Sequence, residues 1–162
     1  MRHCIARDAR LPASRKMRIV SAPLLARILL TALAGGQGFA PIFIDLNRTH
    51  ATHPQWPGHA RFHLVQQVVT LALTAVAEVG LIWWPGPSQA SRFYLAAFLT
   101  ATSLAGFLVA FFTRGLYRGT LRDPRGIPPG RIRTRNGVVE FDVNIILIGL
   151  ATVLLVFAVK LF

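Results

Sequence analysis

What most constrains this chain is a pattern of four apolar stretches, each of about 20 residues and nearly free of charge, set between segments rich in Arg, Pro and Gly. A helix rises about 1.5 Å per residue, so about 20 such residues cross the ~30 Å hydrocarbon core of a bilayer. The stretches run over about 23–44, 64–84, 93–112 and 143–161. Composition agrees: 53% of the residues are hydrophobic and 15% charged, against about 25% charged in soluble domains. A water-soluble domain of 162 residues could not hide that much apolar surface. No stretch alternates with a two-residue period, which argues against a β-barrel. The expected fold class is therefore all-α, a polytopic membrane protein with a four-transmembrane-helix bundle, in which Trp83 and Trp84 mark one interface.

Charge punctuates the spans. Of 18 Lys and Arg, seven lie between Arg2 and Arg27 and seven between Arg114 and Arg135. A net charge of +12 would suggest nucleic acid in a soluble protein. Here the cations flank apolar spans and no stacking aromatics accompany them, so the expected partner is the lipid bilayer and not nucleic acid. Cys4 is the only cysteine, which excludes an intramolecular disulfide and a thiolate metal cage.

Residues 1–18 form a basic N-terminal tail without the apolar core of a signal peptide, and 19–162 form the four-helix transmembrane domain. Met17 is a plausible alternative start. With four spans, the connections 45–58 and 114–142 emerge on one face, which together with Arg61 carries nine Arg. Counting from Met17 leaves four Lys and Arg on the opposite face, and the positive-inside rule then makes the connections cytoplasmic.

Four of the five histidines, His50, His53, His59 and His63, fall within fourteen residues of a His-rich connection between the first two spans. Pro57 and Gly58 close that connection, and His59 and His63 then stand at i and i+4 on one helix face. Continued at about 100° per residue, the same face collects Gln66, Gln67, Thr70, Thr74 and Glu78 within about 120°. Unpaired polar groups in hydrocarbon cost several kcal/mol, so this stripe is expected to line the bundle interior, with Val65, Val69, Leu71, Val76 and Ile82 toward lipid. Glu78 lies too deep to reach water and is a functional candidate by position. Thr31, Gly35, Gly38 and Asp45 share a face of the first span that permits close helix approach, with Gln37 on a different side. Asp142 and Asn144 stand at the mouth of the fourth span, near the level of the histidines.

The run from Asp45 to Gln67 (DLNRTHATHPQWPGHARFHLVQQ) resembles a family of small four-span membrane proteins of bacteria and fungi, DUF6640. The positions that carry the likeness are Asp45, Asn47, Thr49, His50, Pro54, Trp56, Pro57, His59, Ala60, Arg61, Phe62 and His63. His53 and Gly58 depart from the family's pattern, which has Asn and Pro there. A mechanism that needs all four histidines is therefore not the family's, and the resemblance brings no activity with it.

Three functions fit these residues. The first is a membrane enzyme or binder acting on a lipophilic small molecule from the bilayer, with His59, His63 and Glu78 as catalytic proton donors and acceptors. Asp45, Asn47, His50, Trp56, Arg61, Gln66, Gln67 and Asn144 would be its binding residues. The second places a metal on His50, His59 and His63, since imidazole suits zinc or iron. The third is a non-enzymatic scaffold or a small transporter subunit, for which the absence of inverted repeats is unfavourable.

Overall fold

A computed structural model of the chain describes residues 21–121, 128–135 and 137–162. The basic tail expected at 1–18 lies outside the described residues. Each apolar stretch is one helix: α1 (Ala22–Asp45), α2 (Gly58–Trp83), α3 (Gln89–Thr113) and α4 (Val143–Leu161). All four are long and apolar enough to cross a membrane. The protein is thus an all-α, multi-pass bundle.

Local chemistry sets the helix ends. Pro23 sits in the first turn of α1, where a missing N–H costs nothing. Asp142 caps α4 by accepting from the Asn144 N–H at 2.9 Å. Between α2 and α3 the chain turns through Gly86 and Ser88, both at positive φ. Arg92 fixes this turn by donating to the carbonyls of Trp84 (2.9 Å), Gly86 (3.2 Å) and Pro87. The second helix starts six residues ahead of its apolar span, at Gly58, so His59 and His63 stand on its first two turns.

The most extensive packing is between α1 and α2; α1 also packs on α4 and α3, while α3 packs on both α2 and α4. Gly38 makes the α1–α2 seam possible. A Cβ there would lie 2.3 Å from the Ala75 Cβ and 2.9 Å from the Leu71 carbonyl oxygen, so only glycine allows this approach.

At the end that holds the α2–α3 turn the bundle is tightly packed. Ala26, Leu30 and Leu33 of α1 meet Ile82, Phe93, Ala96, Ala97 and Leu155 in one buried cluster, and Phe93 stacks on Phe162 with ring centroids 3.9 Å apart. Ile82, expected to face lipid, is thus in the core. Arg27 closes the rim: its guanidinium lies 4.2 Å over the Trp83 ring and its Nε donates to the Ile82 carbonyl at 3.1 Å. The Trp83 indole in turn donates to the Thr31 hydroxyl at 2.8 Å.

The connection before α4 contains an antiparallel hairpin. Its strands are β1 (Gly130–Thr134) and β2 (Gly137–Phe141), paired from Gly130 with Phe141 to Thr134 with Gly137. Arg131 binds Glu140 across it at 3.0 Å.

Candidate functional site

At the end opposite the packed core the four helices part around a cavity of about 570 Å³. Its walls come from the last three turns of α1, from Gln67 and Leu71 of α2, from the second half of α3 and from the first turns of α4. Most of the lining is apolar, including Ile44, Leu104, Phe107, Leu147 and Ile148. Each helix adds a neutral polar side chain, Gln37, Gln67, Ser103 and Asn144, and Asp45 stands where α1 ends. A shallower groove of about 380 Å³ on α2 is lined by His63, Gln66, Gln67, Thr70 and Leu71. Gln67 and Leu71 line both, so the groove and the cavity lie side by side across α2.

Gln37 was expected away from the α1–α2 seam, and it is. That side is nonetheless interior, because α1 packs on three helices. The Gln37 Nε2 is buried and finds no hydrogen-bond partner among the described residues. Pro41, one turn further along α1, also lines the cavity. Its nitrogen carries no hydrogen, so the Gln37 main-chain carbonyl loses the donor a regular helix would supply.

The polar stripe of α2 is divided. Its lower part is buried: Glu78 is 3% exposed and accepts from the Thr100 hydroxyl at 2.9 Å, with Thr100 itself fully buried. Its upper part, from His59 through Thr70, is exposed on the bundle surface and in the groove, where an interior position was expected. At the level of Glu78 the stripe is covered by Thr100 of α3, whereas His59, Gln66, Gln67 and Thr70 are exposed. Glu78 does not line the cavity. Thr100, its partner, lies about 6 Å along α3 from Leu104 in the cavity wall.

His59 and His63 meet as the i, i+4 spacing requires, with Nε2 to Nε2 at 3.0 Å and rings edge to face at 4.4 Å. The other His63 nitrogen, Nδ1, lies 3.3 Å from the Gln66 Oε1. An amide oxygen only accepts, so His63 carries its proton on Nδ1 and receives the His59 Nε2–H on Nε2. This forms a short donor chain along the exposed edge of α2.

The residues before α2 build a compact connection. Asn47 donates to the carbonyls of Phe43 (2.9 Å) and Ile44 (2.8 Å), ending α1, and its Oδ1 accepts from the Thr49 N–H and hydroxyl at 2.8 and 2.6 Å. Having given its one proton to Asn47, the Thr49 hydroxyl accepts from His50 Nδ1 at 2.8 Å. The same Nδ1 is 3.8 Å from the Asp45 carboxylate, and the His50 ring meets Trp56 edge-on at 5.5 Å. Arg61 reaches back to the carbonyls of Trp56 (2.9 Å) and Pro54 (3.2 Å). His53 is buried, and its Nδ1 accepts from the Gln55 N–H at 3.2 Å.

The histidines therefore fall into separate sets, His59 with His63 on α2 and His50 with Asp45 at the end of α1. The three-histidine metal site expected from His50, His59 and His63 does not form: among the described residues no three His, Cys, Asp or Glu are grouped to hold a metal ion. The fixed turn between Asn47 and Trp56 holds His50 in its own network, away from the pair. Two residues of the site went unmarked in the sequence, Gln37 as a wall of the cavity and Thr100 as the partner of Glu78. The only sequence signal for Gln37 was its place one turn before Pro41.

The family model DUF6640, a family of unknown function, matches residues 28–158, which takes in most of all four helices. No curated protein and no solved structure matches the chain. The chain belongs to the DUF6640 family.

Proposed function

We propose that this DUF6640 protein is a membrane enzyme or binder that admits a lipophilic small molecule from the bilayer and handles its polar part at the loop-side end of the bundle. The observation that carries the proposal is the cavity of about 570 Å³, which shares Gln67 and Leu71 with the groove at His63. Small-molecule sites commonly measure about 300–1,000 Å³ and combine apolar walls with a few placed polar groups. The groove on α2 gives an apolar molecule a sideways route from lipid, since a ligand entering there meets Gln67 and Leu71 on its way in.

In this reading His59 and His63 exchange protons with the ligand or with water at the groove, because each imidazole both donates and accepts. Asp45 and Asn144 contact the ligand at the mouth. Asn47, Trp56 and Arg61 act by shaping the connection. Glu78, bound to Thr100 below the cavity, is better suited to anchoring α2 on α3 than to touching the ligand. The nine Arg on this face, Arg61 among them, support a cytoplasmic position for this end.

The test is native mass spectrometry of protein released from its own membranes in mild detergent. Wild type is expected to retain a small lipophile. Gly106→Phe, which adds a ring to the cavity wall at a position with nothing within 4 Å, is expected to lose it while keeping its helical content. Wild type that carries no such molecule, and takes none up when supplied, would end the proposal.

A further inference from the structure

We infer that the cavity selects an uncharged lipophile bearing a hydroxyl group, which docks at Gln37. This rests on the proposed function and narrows its ligand class. Two features of one helical turn carry it. Gln37 lines the cavity and its Nε2 is buried without a partner among the described residues, so a rotation of the amide toward the void would gain it a hydrogen bond there. The Gln37 main-chain carbonyl lacks its helix donor, because Pro41 has no N–H. A donor and an acceptor thus belong to the same residue. A hydroxyl gives one proton and accepts another, so it satisfies both groups; a ketone or ether satisfies only the amide.

Charge selects in the same direction. Among the described residues the lining contains no Lys, Arg or His, and Asp45 is its only ionisable member. Asp45 lies eight residues, or about 12 Å, along α1 from Gln37, at the mouth. A carboxylate or phosphate brought to Gln37 would find no cation to offset its lost hydration, and Asp45 would repel it on entry. The net charge of +12 draws anionic lipids to the outside of the protein. The interior is built for a neutral molecule, and its apolar body would lie against Leu104, Phe107, Leu147 and Ile148.

A series with one chain and varied heads tests this: farnesol, farnesal, farnesoic acid, farnesylamine and the hydrocarbon farnesene, titrated into full-length protein in nanodiscs of uncharged lipid. Farnesol is expected to bind at least about tenfold more tightly than farnesene or farnesoic acid, because a site built to bond a hydroxyl discriminates against analogues that lack one. Gln37→Leu should retain farnesene and lose the preference for the alcohol. Pro41→Ala restores the missing N–H, and should narrow the preference even if the Leu variant does not fold. Tighter binding of the acid, the amine or the hydrocarbon would overturn the inference while leaving the proposed function standing. So would an alcohol preference unchanged in both variants. Failure of the whole series, together with an absence of native lipophile, would remove both.

Discussion

Adding one methyl group at Gly38 tests the seam on which the bundle is built. The new Cβ would stand 2.3 Å from the Ala75 Cβ, 2.9 Å from the Leu71 carbonyl oxygen and 3.5 Å from the Ala72 Cα. Carbon atoms rest about 3.5–4.0 Å apart, so α1 and α2 must separate by about 1 Å or slide. Overpacking of this kind costs about 1–3 kcal/mol, while replacing Gly by Ala in a helix interior returns at most about 1 kcal/mol. Gly38→Ala should therefore lose about 1–2 kcal/mol, and for a chain of this size each kcal/mol lowers Tm by about 2–4 °C. Gly35→Ala is the control, since its Cβ would meet nothing within 4 Å and should be neutral or slightly stabilising. Thermal unfolding of the three proteins in one detergent, followed by circular dichroism, gives the comparison. Adding Ala75→Gly to Gly38→Ala should recover only part of the loss, because the contact with the Leu71 carbonyl remains. A Gly38→Ala protein as stable as Gly35→Ala would refute the reasoning.

Thr100→Val should cost about 1–3 kcal/mol by leaving the buried Glu78 carboxyl without its donor, whereas Thr100→Ser and Glu78→Gln keep a hydrogen bond and most of the stability. Equal unfolding temperatures for the Val and Ser variants would show that this bond holds nothing. Asn47→Ala removes the two bonds that end α1 and the anchor of Thr49, so amide exchange over 44–53 should quicken while α3 and α4 keep their protection. Uniform protection would contradict that role. Single cysteines at Thr52 and Thr134, in a background lacking Cys4, should respond alike to an impermeant thiol reagent in oriented vesicles, and one at Ser88 oppositely. Any other pattern is incompatible with four crossings.

The helices were legible because lipid leaves so few alternatives. About 20 apolar residues with no water to bond their backbone must be helical, and α1 to α4 follow the stretches with ends that differ by at most six residues. The face of α1 that carries Gly38 was legible for the same reason, since small residues at helical spacing serve close approach. A helical wheel nevertheless carries no information about which turns have a neighbour. Glu78 and Thr70 share one stripe, yet Glu78 is buried against Thr100 of α3 and Thr70 is exposed. Gln37 was hidden by a related ambiguity. A wheel divides a helix into an inside and an outside, whereas α1 packs on three partners and has interior surface on more than one side. In the hairpin the signal was present in the Asn136-Gly137 pair between two short runs that hold β-branched residues, but a search for membrane helices treats such a segment as a connection.

The motif that carries the family likeness divides by what its side chains have left to give. Asn47, Thr49 and Arg61 commit their polar atoms to neighbouring carbonyls or to one another. Pro57 sets the entry to α2. These residues explain how the connection folds, and their replacement would disturb whatever the protein does without any of them touching a ligand. The remainder is different in kind. Asp45 lines the cavity, His50 is held through Nδ1, and among the described residues the His50 Nε2 and the His59 Nδ1 at the head of the His59–His63 chain are uncommitted. A connection needing only to join two helices would not require three hydrogen bonds to fix one imidazole tautomer beside an acid. The rigidity conferred by Asn47 and Thr49 makes physical sense if the orientation of His50 against Asp45 matters at the mouth of the cavity, because a freely rotating imidazole would spend most of its time directed elsewhere.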